Sequence, residues 1–197
     1  PEIPGDEALL HLSRRRFSQA RLGAEFYPDT PEHLTWLRNF IPVGQPATAH
    51  LPREIDILNP ADRQTILNFA QAAGGELLGI VGHDSLLCGE QPEAVVAALT
   101  EIDHGLSKLK KPPLFFFEYA AGLAPEVFAD LLAKCTGLKH IAACLDVGHL
   151  GIWICRETYS AAASGENICT LSPKEPNLVK RRENWRSAMG SALPLIK

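Results

Sequence analysis

Four apolar runs, about 30 residues apart and each ending in a polar side chain, limit what this chain can fold into more than any other feature. They end at His50, His83, Glu118 and Asp146. A shorter run, 23–27, precedes them and carries Glu25. A repeat of that length matches one strand plus one helix. The segments 77–82 and 114–117 are continuously apolar rather than alternating, as in a parallel sheet buried on both faces. Strands are therefore expected at 23–27, 47–51, 77–82, 114–117 and 141–145.

The stretches between them read as helices with recognisable starts. Thr30 stands before Pro31 as an N-cap, and a helix from Ala61 carries Ile66, Leu67, Phe69 and Ala70 before Gly74-Gly75 stops it. Pro92 and Pro125 open two more. Near the start, a helix within 1–20 is expected to turn Leu9, Leu10, Leu12 and Phe17 inward, leaving Arg14-Arg15-Arg16 as a solvated face. After Trp153 the pattern loosens. Helical stretches are expected at 156–163 and 179–195, around loops at 164–167 and 172–176.

These elements predict one α/β domain over 1–197. It comprises an N-terminal helical segment (1–22), βα repeats (23–153) and a divergent helical segment (154–197). An eight-stranded barrel and an open doubly wound sheet both accommodate the repeat. No Gly-x-Gly-x-x-Gly follows any strand, which counts against a dinucleotide-binding open sheet. A complete barrel takes ~250 residues. A (β/α)8 TIM barrel would therefore be partial here, about five parallel strands with outer helices, either cut from a longer protein, which is favoured, or with its remaining strands lost. The opening Pro1-Glu2-Ile3-Pro4 has neither an initiator Met nor a signal-like region.

A net charge of −4 gives no pull toward nucleic acid or an anionic membrane. No apolar run approaches the ~18 residues of a spanning helix. Cys88, Cys135, Cys144, Cys155 and Cys169 are scattered without C-x-x-C spacing, so neither a disulfide framework nor a structural zinc site is expected. A reducing, cytoplasmic setting fits.

Two motifs carry a resemblance: Phe115-Phe116-Phe117-Glu118 at the fourth strand and Leu145-Asp146-Val147-Gly148-His149 at the fifth. With His50-Leu51-Pro52 at the second and Gly82-His83-Asp84 at the third, they resemble the xylose-isomerase-like barrel superfamily over about 23–153. That superfamily includes sugar isomerases and epimerases and endonuclease IV. The resemblance implies a divalent metal (Mn²⁺, Mg²⁺ or Zn²⁺) held by Glu118 and Asp146, with His83 as a further ligand. It implies substrate contacts from His149 and His50, and a proton-transfer role for Glu118. In the endonuclease branch, His50, His83 and His149 would all join the metal cluster. The superfamily also draws ligands from later strands, and the chain has no recognisable counterpart after Trp153.

The expected activity is a metal-dependent isomerase or epimerase acting on a small sugar or sugar phosphate. An endonuclease-IV-like phosphodiesterase is the alternative enzyme, and a non-catalytic sugar- or metal-binding barrel the alternative without turnover. A carboxylate directly after three phenylalanines is costly without a partner, so the plain reading of Glu118 is an ion pair at the sheet edge. Glu25 could face the same cavity, although a salt bridge is its plainer fate. His11, His33, His104 and His140 read as surface residues, and Trp153 as a candidate for the pocket mouth. Ser85 lacks a Gly-x-Ser-x-Gly elbow, which argues against serine hydrolysis. An open sheet edge is expected to drive self-association into a homo-oligomer.

Overall fold

A computed structural model describes residues 6–162 and 178–192. Five strands, β1 (Ala24–Phe26), β2 (Ala47–His50), β3 (Gly79–His83), β4 (Leu114–Tyr119) and β5 (Ile141–Leu145), form one sheet in the order β1-β2-β3-β4-β5. Every pairing is parallel. Each connection therefore steps to the next strand in the same direction. With right-handed crossovers this puts successive helices on one face of the sheet. A doubly wound sheet would reverse its order partway.

The helices are α1 (Asp6–Ala20), α2 (Pro31–Leu37), α3 (Pro60–Ala73), α4 (Leu86–Glu90), α5 (Pro92–Leu106), α6 (Pro125–Lys134), α7 (Val147–Ala162) and α8 (Leu178–Ala192). A short 3₁₀ turn at Arg38–Phe40 extends α2. Local chemistry explains the boundaries. Thr30 Oγ1 accepts from the His33 amide at 3.1 Å, as expected of an N-cap. Asn59 caps α3 one residue earlier than the sequence suggests, and Gly74 closes it at φ +63°, a left-handed conformation that costs glycine little.

The core lies between the helices and one face of the sheet. Ala49, Ile80, Phe115, Phe117 and Tyr119 alternate toward it and meet Ile66 and Phe69 of α3, Leu99 and Ile102 of α5, and Phe128 and Leu131 of α6. The opposite face carries Glu25, Thr48, His50, Val81, His83, Phe116, Glu118 and Cys144. Phe116 lies over Gly79, where a Cβ would come within 2.4 Å of its ring.

Three expectations need correction. Burial on both faces holds in β3, where Gly79, Ile80, Val81 and Gly82 are all buried, but not throughout the sheet: β2 alternates buried and half-buried, and β5 has no fully buried residue. On α1 the inward stripe is Leu10 and Arg14, whose Nε donates to the Ile41 carbonyl at 3.0 Å, while Leu9 is 61% exposed. Finally, α7 starts at Val147 rather than near Arg156, and α4 was not foreseen. The expected loops at 164–167 and 172–176 and Cys169 fall outside the described residues.

Candidate metal centre

The C-terminal ends of all five strands and the loops after them surround one cavity of about 470 Å³. Its lining includes every sequence-predicted site residue: His50, His83, Glu118, Asp146 and His149. Glu118 is the hub. It follows Phe117 on β4, turns to the face opposite the core and is 6% exposed. His83 is its direct neighbour across the β3–β4 register. One carboxylate oxygen, Oε2, lies 3.1 Å from His50 Nε2 and 3.3 Å from His83 Nε2. The partners of this buried carboxylate are thus imidazoles.

His50 is oriented from behind. Its Nδ1 is 3.1 Å from the Leu51 carbonyl, which suits an Nδ1–H donor and turns Nε2 toward Glu118. Such backing commonly fixes the tautomer of a metal-bound histidine. With Nδ1 donating, Nε2 faces the carboxylate favourably only when a proton or cation lies between them. The hydrogen bond that protonated His50 donates to Glu118 raises the His50 pKa above its ordinary value, against the effect of burial. Burial lowers the His83 pKa, and the neighbouring His50 lowers it further. The two rings are 4.4 Å apart, so protonating both is disfavoured.

The fifth strand contributes through a cap. Asp146 follows β5, and its Oδ1 accepts from the Gly148 amide at 2.6 Å, as an N-cap does at the start of α7. That leaves Oδ2 free, and places His149 in the first turn of α7. His149 Nδ1 is 3.2 Å from Asp146 Oδ2, yet it is buried without a hydrogen bond because the alignment is poor. A buried polar atom without a partner calls for an explanation, and a cation shared by the two groups supplies one.

The potential ligand atoms fall into two groups, each within 4.8 Å: His50, His83 and Glu118, and Glu118, Asp146 and His149. Glu118 belongs to both. Three imidazoles with two carboxylates fit Zn²⁺ or Mn²⁺ better than Mg²⁺, which prefers oxygen ligands.

The remaining wall was largely missed from sequence. Tyr27 and Asp29 follow β1, and Arg53 and Glu54 follow β2. Their signal was position, since loops after strand ends build the active face of such folds. Glu25 also lines the cavity. Its Oε2 accepts the Tyr27 hydroxyl at 2.7 Å, so the expected salt bridge is replaced by hydroxyl contacts. That bond and nearby carboxylates push the Tyr27 phenol up to about 12. Trp153 packs against the core under Arg156 and does not line the cavity. His140 is half-buried and held by Asp103 at 3.1 Å, not free at the surface. Ser85 Oγ faces Cys88 Sγ at 3.3 Å.

Compared with protein-family models, curated proteins and solved structures, the chain matches none. What is defined is an α/β chain with a five-stranded parallel sheet and a histidine–carboxylate cluster at its C-terminal edge. Among the described residues, no helix is long and apolar enough to cross a membrane.

Proposed function

We propose that this chain holds the divalent-metal centre of a (β/α)8-barrel isomerase or epimerase acting on a small sugar or sugar derivative. The sequential strand order supports the barrel. The observation that carries the function is the pair of ligand groups sharing Glu118, with the unpartnered His149 Nδ1 in one of them. A divalent ion bound there would polarise a carbonyl and its adjacent hydroxyl, making the intervening C–H acidic.

The chain's own groups then divide the work. His50 and His83 fix the position of Glu118 Oε2, and Asp146 and His149 close the group from the β5 side. Glu118, the carboxylate common to both groups, would take or return a proton at the substrate carbon. The cavity lining holds five carboxylates (Glu25, Asp29, Glu54, Glu118, Asp146) and one guanidinium, Arg53. That balance suits a small hydroxylated molecule better than a polyanion.

A second reading has one observation in its favour. Two ligand groups sharing a carboxylate could hold two ions, as in phosphodiester hydrolysis. The acidic lining works against it, because nucleic-acid binding draws on basic side chains.

Metal content and affinity of the purified chain, beside Glu118→Ala, test the proposal. One Zn²⁺ or Mn²⁺ per chain, lost in the variant, is expected, together with metal-dependent solvent-deuterium exchange into an aldose or ketose. Two ions with cleavage of an abasic-site duplex would favour the second reading. Metal binding with neither activity would leave a binding module, and no metal in a folded chain would defeat the proposal.

A further inference from the structure

Glu25 is a cavity carboxylate that neither ligand group uses. It stands on β1 opposite Thr48, which shares the non-core face of β2 with His50. Its Oε2 accepts the Tyr27 hydroxyl at 2.7 Å, and its Oε1 lies 3.4 Å from the Thr48 hydroxyl. Among the described residues no lysine or arginine is paired with it. A carboxylate has about four acceptor positions, so two hydroxyls leave about two open. Glu25 is thus already a hydroxyl acceptor with spare capacity, on the wall of the metal cavity.

Tyr27 completes that wall. Its ring stacks on His50, with centroids 5.2 Å apart and planes 14° from parallel, yet the residue is 66% exposed. Here it presents apolar surface beside the ligand cluster, with its hydroxyl held by Glu25. Hydroxyl acceptors next to an aromatic surface match a carbon chain whose hydroxyls and C–H groups alternate. A phosphate in that place would meet the Glu25 carboxylate.

We propose that Glu25 and Tyr27 form the recognition wall of this site and select a neutral polyhydroxylated substrate over its phosphorylated counterpart. Substrate hydroxyls donate to Glu25, and the Tyr27 ring covers the carbon chain. The inference rests on the metal-centre reading above, and it adds the substrate class and a binding role for β1.

The test uses the full chain loaded with Zn²⁺ and three probes: xylitol, D-xylose and ribose 5-phosphate. Calorimetry gives the metal affinity, and ligand-observed NMR the probe affinities, for wild type, Glu25→Gln and Tyr27→Ala. Wild type is expected to bind a neutral probe at least tenfold tighter than ribose 5-phosphate. Glu25→Gln should lose at least tenfold of that affinity and Tyr27→Ala, which removes the ring, severalfold. Both variants should keep metal affinity within about threefold and an unchanged melting temperature, which a merely structural role would not produce. Tighter binding of ribose 5-phosphate, unchanged affinity in Glu25→Gln, or no binding of either neutral probe to metal-loaded wild type would each overturn the recognition wall while leaving the metal centre standing. Failure of folded wild type to take up metal would instead bring down the metal-centre reading, and the wall with it.

Discussion

At the scale of single residues, the centre is built from side chains with divided duties. Asp146 spends one oxygen on capping α7 and leaves the other beside His149. Asp146→Asn keeps a capping oxygen and removes the charge. It should lower metal affinity about 10- to 100-fold while shifting stability by less than about 1 kcal/mol; calorimetry and thermal melts read the two separately. The histidines respond oppositely to pH. The folded His50 value is raised, so its pairing with Glu118 stabilises the metal-free fold fully below the ordinary histidine value of about 6.5 and is lost as pH rises through the raised value. The folded His83 value is lowered, so its contribution is present above about 6.5 and is lost as pH falls through the lowered value. Because ligands must shed protons to bind a metal, uptake should release protons, more from His50 than from His83 at a given pH. Titrations in buffers of different ionisation enthalpy measure that release, and affinity should fall as pH drops through the histidine range. The choice of residue types was legible in the sequence. Which oxygen of Asp146 is free, and that Tyr27 stacks on His50, was not, because both depend on angles between elements.

At the scale of elements, the loop between β4 and α6 is held by a residue from another strand end. Asp84, 6% exposed, accepts from the Ala120, Gly122 and Leu123 amides at 2.9, 3.1 and 3.1 Å. Ala121 sits among them at φ +61°, a left-handed conformation that favours glycine. Burial nevertheless raises the Asp84 pKa, outweighing the three amides. Asp84→Ala would leave buried amides without an acceptor and should cost about 3 kcal/mol in urea unfolding. Metal affinity should fall as well, since only Tyr119 separates this loop from Glu118. On the core face, Phe117 is fully buried and stacks on Phe128 at 5.4 Å, so Phe117→Ala should cost about 3–5 kcal/mol. The sequence announced β4 and α6 through their apolar pattern and Pro125. It did not announce α4 or the first turns of α7, where His83-Asp84-Ser85 and Val147-Gly148-His149 look like loop.

At the scale of the molecule, the sheet ends at β1 and β5 among the described residues, and β5 exposes Ala143 and Leu145, the latter by 60%. An uncovered parallel edge with apolar side chains is a template for pairing. The chain alone should therefore self-associate. Leu145→Lys should shift it toward monomer in sedimentation velocity, with metal affinity kept within about threefold because Leu145 faces away from the cavity.

By itself the sequence determined the βα repeat, the parallel sheet and the residues at its strand ends, because burial period and capping residues act over a few neighbouring positions. Only the tertiary structure decided that His50 and His83 meet on one oxygen of Glu118, that Asp84 clamps a distant loop and that Glu25 faces hydroxyls. Those outcomes depend on strand register and on which face of the sheet the helices cover. Register is fixed by packing across the whole sheet, and no local stretch of chain encodes it.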